Sequence, residues 1–373
     1  MQPSDIRSRP LEPGAASAWR RAGFVLAVLG SVTASLAAVA ANGACVQIDD
    51  DARRLACYDR AAGRAAPSAA VHAQDAASQP QASPPTAAAS AASEPNPAQA
   101  AAQTGRDSPL SKIWQLDVAD KTRPFKLLPY KANYLLPARY STSVNNMPHS
   151  PNPNNTVTTP LDWDATEAKF QLSVRLKVAD YLFGDNGAVW VGYTQQSNWQ
   201  LYNAAESRPF RETNYEPEAI LSFRTDADIL GWRWRLLNFG LVHQSNGRSD
   251  PLSRSWNRVY VQFGLERGNF TLFVQPWYRL PESASRDDNP DIRDYAGSGE
   301  LRLVYADAGH ALSAQARYSF SGHAGGLKLE WAFPLFDQLK GYVQLTSGYG
   351  ESLIDYNASS TRIGLGISLL EWY

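Results

Sequence analysis

The end of the chain alternates strictly. Ile363, Leu365, Ile367 and Leu369 fall on one face of an extended segment, and Arg362, Gly364, Gly366 and Ser368 fall on the other. The same two-residue period recurs through the last two thirds of the sequence. It marks about twelve strands, near 125–141, 168–184, 188–202, 216–226, 232–246, 253–267, 270–281, 297–307, 311–320, 325–335, 339–350 and 360–373. Most have about the length that a tilted membrane-crossing strand requires. Asp185-Asn186-Gly187, Gly268-Asn269 and Ala308-Gly309-His310 read as tight turns, whereas 142–167, 203–215 and 282–296 read as longer polar connections. Such an asymmetry of short and long connections is typical of barrels that cross a membrane.

Beyond the leader, no segment is a continuous apolar run long enough for a transmembrane helix, so a membrane-resident chain of this kind must close into a barrel. The expected fold is all-β, a twelve-stranded antiparallel transmembrane β-barrel over 108–373, with a disordered N-terminal extension. A soluble sandwich also alternates. The even strand count, the 11 Trp and 17 Tyr, and the terminal Trp372-Tyr373 favour the barrel.

Residues 1–41 read as a signal peptide. Arg20 and Arg21 precede an apolar, small-residue run from Phe24 to Ala41, and Ala38-Val39-Ala40 suits a signal peptidase. The competing reading is a membrane anchor. Residues 42–61 form a short segment carrying Cys45 and Cys57, a close pair expected to bond in an oxidising periplasm. A helix over Asp49–Arg60 is expected there, with Asp49 as N-cap. Residues 62–107 are dominated by Ala, Ser, Pro and Gln and cannot build a core, so they read as a flexible tether in the periplasm. Charged residues are 19% of the chain and the net charge is −1, which excludes nucleic-acid binding through a basic surface.

The informative stretch for chemistry is Leu241 to Asp250. Strand parity puts Leu237, Phe239, Leu241, His243 and Ser245 on one face, which in a membrane barrel looks at lipid. In the next strand Asn257 shares the outward face with Val259, Val261, Phe263 and Leu265. Three polar side chains then converge on a lipid-facing wall, where polar groups are costly and mark function. The set suits ester hydrolysis. Ser245 attacks a carbonyl carbon, His243 takes its proton, and the Asn257 amide oxygen orients the imidazole. Backbone N–H groups at Ser245 and Gly247 are candidates for the oxyanion hole. The plainer reading places His243 and Ser245 in a polar interface girdle.

At these residues the chain resembles the outer membrane phospholipase A family. The run His243-Gln244-Ser245-Asn246-Gly247-Arg248-Ser249-Asp250-Pro251, continuing through Ser253-Arg254-Ser255-Trp256-Asn257-Arg258, is similar to its active-site signature. Pro209 to Pro217 and Ser347 to Asn357 resemble two further motifs of the family, in the same order. A terminal aromatic also resembles the assembly signal of outer-membrane barrels.

The resemblance implies a barrel in the bacterial outer membrane that hydrolyses acyl esters of phospholipids and lysophospholipids, with A1 and A2 activity. It implies dependence on Ca2+ and on homodimerisation. It makes Ser245 the nucleophile, His243 the base and Asn257 the orienting partner. It implies a calcium site formed by the Arg248 carbonyl and Ser253, with Ser207 donated by the second subunit. Asp250 and Asp288 are candidates for a further, weaker calcium site, the alternative being that they are merely solvated. Gln195 matches a dimer-contact position, and its other reading is a buried interior glutamine. A non-enzymatic pore or adhesin is the competing function. A pore would carry its functional groups inward.

Overall fold

The computed structural model of the chain describes Asp50, residues 53–54 and 56–57, and residues 108–336 and 339–370. The expected signal peptide 1–41, the tether 62–107, Cys45, and Trp372-Tyr373 lie outside the described residues. The chain comprises two units, residues 1–91 and 92–373. In the first unit the Asp50 carboxylate accepts the Arg53 amide at 2.8 Å, an N-cap one residue later than expected. Helical backbone follows at residues 53–54 and 56–57. Cys57 is disulfide-bonded.

The second unit is a closed antiparallel barrel of twelve strands. They are β2 (Asn133–Ser141), β3 (Thr166–Ala179), β4 (Ala188–Trp199), β5 (Phe210–Ile229), β6 (Trp232–Ser245) and β7 (Ser255–Arg267), then β8 (Phe270–Arg279), β9 (Gly299–Asp307), β10 (His310–Ser319), β11 (Ala324–Phe336), β12 (Leu339–Gly348) and β13 (Ser360–Leu370). Each pairs with its sequence neighbour, and β13 pairs with β2 to close the wall, Arg362 opposite Ser141. A short β1 (Leu127–Pro129) pairs with the far end of β3, Leu127 opposite Leu176, and so extends the line of β2. Closure pairs each of these twelve strands on both sides, which satisfies their backbone polar groups within the wall, as lipid requires.

Alternation decides which side chains face out. On β13 Ile363 and Leu365 are exposed, while Arg362 and Ser368 are buried. On β6 Phe239 and Leu241 are exposed, whereas Asn238 and Val242 are buried. The outside wall is apolar and the inside is charged. Lys131 bonds Glu218 at 2.7 Å and Arg258 bonds Glu216 at 3.1 Å across the interior.

The two rims differ. One carries tight turns. Leu230-Gly231 and Ala308-Gly309 each hold two successive residues at positive φ, the twist a two-residue antiparallel hairpin needs. His310 itself belongs to β10. The other rim carries the long connections 142–165, 246–254, 280–298 and 349–359.

Both ends of the interior are filled. At the tight-turn rim, helix α1 (Pro109–Trp114) packs Leu110 and Trp114 against Trp190, Ile220, Leu236 and Phe273. Ser108 caps it and also donates to Glu266 at 2.7 Å. At the long-connection rim, residues 349–359 fold inward and bury Ile354, Asp355 and Tyr356.

Two sequence expectations need correcting. The connection expected at 203–215 is shorter, because β5 already begins at Phe210. Its first residues look polar because Arg211, Glu212 and Asn214 face the interior and are paired there. The connection expected at 282–296 contains a helical turn, α2 (Ile292–Ala296), whose Ile292 and Ala296 are buried against Trp256 and Trp277.

Candidate active site on the lipid-facing wall

β6 and β7 are in direct register at the long-connection rim. His243 stands opposite Asn257, and Ser245 opposite Ser255. His243 is exposed on the outer wall, Ser245 and Asn257 are half-buried beside it, and their neighbours Val242, Trp256 and Arg258 are buried inside. Outward parity therefore holds for all three site residues expected from the sequence.

His243 Nδ1 lies 2.8 Å from Asn257 Oδ1. An amide oxygen only accepts, so Nδ1 carries the proton and Nε2 is left with a free lone pair. Ser245 is two residues further along the same face, roughly 6–7 Å of strand rise from His243. The structure contains no hydrogen bond between Ser245 and His243, and such bonds often tighten only when substrate is present.

Support for this pair comes from both sides of the wall. Inside, Trp256 donates to Gln244 at 2.8 Å, and Arg258 bonds Glu216 and Gln244. The Tyr260 ring lies over Gly240, its direct partner, so closely that a Cβ there would meet Tyr260 Cζ at 2.1 Å. On the outer side, the Asn257 amide nitrogen donates to Glu282 Oε1 at 3.3 Å. Burial pushes the Glu282 carboxyl above its ordinary value, and the Asp287 and Asp288 carboxylates add to this. Arg279 and the Asn257 amide oppose it.

The chain turns sharply after Ser245. Gly247 has φ +63°, and a Cβ there would crowd the Tyr215 ring at 3.1 Å. Asn246 organises the turn. Its amide nitrogen donates to Leu252 O at 2.7 Å and Glu212 Oε2 at 3.3 Å, and its amide oxygen accepts from the Arg254 and Arg248 backbones. The Gly247 N–H donates to no described residue, which leaves it available to an anionic oxygen.

The three sequence motifs meet here. Glu212, in the stretch from Pro209 to Pro217, accepts from Asn246 and also from the Ile354 amide at 3.1 Å. Asn214 accepts from the Leu353 amide at 3.0 Å. Arg211 bonds Asp355 at 2.8 Å and Arg362 bonds it at 2.9 Å. The loop 349–359 is thus tied to the turn that follows the nucleophile candidate. Glu212 lies in a stretch marked by the resemblance but was given no role from the sequence, and Glu282 was not singled out there. For Glu212 the inward parity of β5 was an available signal; for Glu282, within a polar connection, there was none.

A hard cation takes oxygen donors. Among the described residues no three His, Cys, Asp or Glu side chains are placed to hold a metal. A site must then use carbonyl and hydroxyl oxygens with few carboxylates. The turn offers these. The Arg248 carbonyl accepts no hydrogen bond from a described residue. The Ser253 hydroxyl donates to Asp288 Oδ2 at 2.7 Å, with Ser255 3.4 Å from the same oxygen. This donor set fits calcium. Asp250 accepts from Asn155 Nδ2 at 3.0 Å, and the same nitrogen bonds Ser253 O. Asp288 is thus bonded to the turn, and Asp250, exposed within it, to Asn155 of the connection 142–165. Ser207 is exposed on the connection between β4 and β5, and its side chain bonds no described residue.

Gln195 faces outward on β4, with exposed Val191 and Tyr193 on the same face, and donates to Ser197 at 3.2 Å. The interior reading of this residue is thereby corrected. Along the wall from the site, Phe239, Leu241, Val259, Val261 and Tyr278 line an apolar groove.

The family model for phospholipase A1 matches residues 110–369. The phospholipase A1 of Klebsiella pneumoniae is 43% identical over 254 residues, covering 67% of this chain and 84% of that protein. That of Escherichia coli K12 is 42% identical over 250 residues, covering 66% and 82%. The crystal structure of the Salmonella typhi outer membrane phospholipase dimer with bound calcium superposes with a TM-score of 0.63 at 39% identity, covering 71% of this chain and 98% of that one. Outer membrane phospholipase A from Escherichia coli gives 0.62 at 39% identity, covering 70% and 99%. The described barrel is the unit these proteins share with this chain, and the chain belongs to the outer membrane phospholipase A family, the one described by the phospholipase A1 model.

Proposed function

We propose that the chain is a calcium-dependent phospholipase of the outer membrane, hydrolysing acyl esters of phospholipids and lysophospholipids at Ser245. The observation that carries this reading is the 2.8 Å contact between His243 and Asn257 on the outer wall, with Ser245 on the same face. Asn257 holds the imidazole with Nε2 free. His243 takes the Ser245 hydroxyl proton as Oγ attacks the ester carbonyl, then returns it to the departing alcohol. A second round, with water in place of serine, releases the fatty acid. The Gly247 amide faces the developing oxyanion. Bound calcium, held by the Arg248 carbonyl and Ser253 with Asp288 beside them, would supply positive charge next to that oxyanion.

The location selects the substrate. A site opening sideways from an apolar wall meets acyl chains, and the groove along Leu241 and Val259 gives one a surface to lie on. Ser207 is assigned as a calcium ligand donated by a second copy, and Gln195 to the contact between two copies, because it is a polar outward residue in an apolar wall. Residues 1–41 are assigned as the signal, and 42–107 as a periplasmic segment and tether. The pore reading is disfavoured by α1 at one end of the interior and residues 349–359 at the other. The test is fatty-acid release from phospholipid–detergent micelles. Purified protein is expected to release fatty acid with calcium present and to stop on chelation; steady ion conductance in planar bilayers with no lipolysis would overturn the reading.

A further inference from the structure

An asparagine side chain is nearly symmetric in shape and opposite in chemistry at its two ends. Turned over, the Asn257 amide would present NH2 to His243 Nδ1. That nitrogen would then have to accept, and the proton would move to Nε2, the atom that must take the serine proton. The His243 contact alone does not exclude this, because the imidazole can adopt either tautomer. Something on the far side of the amide must choose.

We propose that Glu282 is a positioning residue that holds the Asn257 amide oxygen toward His243; the inference rests on the triad reading above. Glu282 Oε1 lies 3.3 Å from Asn257 Nδ2. An ionised carboxylate only accepts, so a turned amide would set its oxygen against the carboxylate, acceptor against acceptor. The backbone brings the two together. The Leu280 N–H donates to the Asn257 carbonyl at 2.8 Å, which continues the β7–β8 pairing one step past Arg279. Arg279 then ties the rest of the connection down, through Asp287 at 2.6 Å and the Pro290 carbonyl at 3.1 Å. Glu282 is half-buried at the edge of the site, and it makes no other side-chain hydrogen bond among the described residues. Its chemistry is therefore spent on Asn257.

The test is kcat and KM for phospholipid micelles in Glu282→Ala, Glu282→Gln and Glu282→Lys, with Glu282→Ala repeated in an Asn257→Ala background. Glutamine retains an acceptor, alanine has neither, and lysine offers only donors and favours the turned amide. The expected order of kcat is glutamine, alanine, lysine, with alanine down about tenfold and KM unchanged. In the Asn257→Ala background, Glu282→Ala is expected to change kcat by less than about twofold. An equal loss in both backgrounds, or no loss in the wild-type background, would overturn the proposal. So would a lysine variant as active as the glutamine one, a comparison that stands even if the alanine variant misfolds. Full activity of Asn257→Ala would instead remove the triad reading, and this one with it.

Discussion

His243 Nδ1 and Asn257 Oδ1 stand 2.8 Å apart between directly paired residues of β6 and β7, on the side of the wall that faces lipid. The strand pairing presets the distance, so no loop need move to form the contact. In Asn257→Ala the imidazole loses the acceptor that fixes its tautomer. Its kcat is expected to fall by about 10²-fold, with little change in KM. Heat-modifiable mobility on gels should be that of the folded barrel, because Asn257 is half-buried on the outer wall.

The Glu212 carboxylate joins the turn after Ser245 to the inward loop. Glu212→Ala leaves the Ile354 amide without its partner and removes one of the Asn246 contacts. A buried group left unsatisfied costs about 1–3 kcal/mol. The variant is expected to unfold at lower temperature and to lose activity along with stability, read by thermal melting of the detergent-solubilised protein.

Asp355 is fully buried between Arg211 and Arg362. Burial by itself would raise its carboxyl, but the two guanidiniums outweigh this and hold it below its ordinary 3.8. A carboxyl depressed in the folded state stabilises fully above its unfolded value, and that contribution is lost as pH falls through the folded value. Wild type should therefore keep this contribution down to about pH 4 and lose it only below. Asp355→Asn should be destabilised at neutral pH by about 3 kcal/mol, and the gap to wild type should close in acid. A pH series of unfolding midpoints reads both.

Leu110 is buried against Trp190 and Leu236 inside the barrel. Leu110→Ala is expected to cost about 2–5 kcal/mol. The loss should appear in the unfolding midpoint and not in kcat, because α1 sits at the rim opposite the site.

Ser253 and Asp288 share a 2.7 Å hydrogen bond beside the site. If they serve the calcium position, Ser253→Ala and Asp288→Asn should raise the calcium concentration needed for half-maximal activity severalfold, with the rate at saturating calcium less affected. A calcium titration of initial rates separates the two effects.

Much of this was legible in the sequence because a strand repeats every two residues. Parity alone placed His243, Ser245 and Asn257 on one wall, and the strand limits of β6 and β12 were close to those found. What parity could not give was the interior. Arg211, Glu212 and Asn214 read as a polar loop because their partners lie far away in sequence, Glu167 and Asp355 for Arg211 and the Ile354 and Leu353 amides for Glu212 and Asn214. The α1 helix carried a short-range signal, Ser108 before Pro109 with Leu110, Ile113 and Trp114 at helical spacing, but its meaning depends on Trp190 and Leu236 around it. Glu282 had no signal, because its partner is chosen by the Leu280–Asn257 backbone contact.

The most direct measurement is fatty-acid release by Ser245→Ala at saturating calcium, compared with wild type on the same micelles. The alanine variant should migrate as a folded barrel and release fatty acid about 10⁴-fold more slowly or less. Release at the wild-type rate would mean that Ser245 does not attack the ester, and the assignment of this wall as the active site would fall.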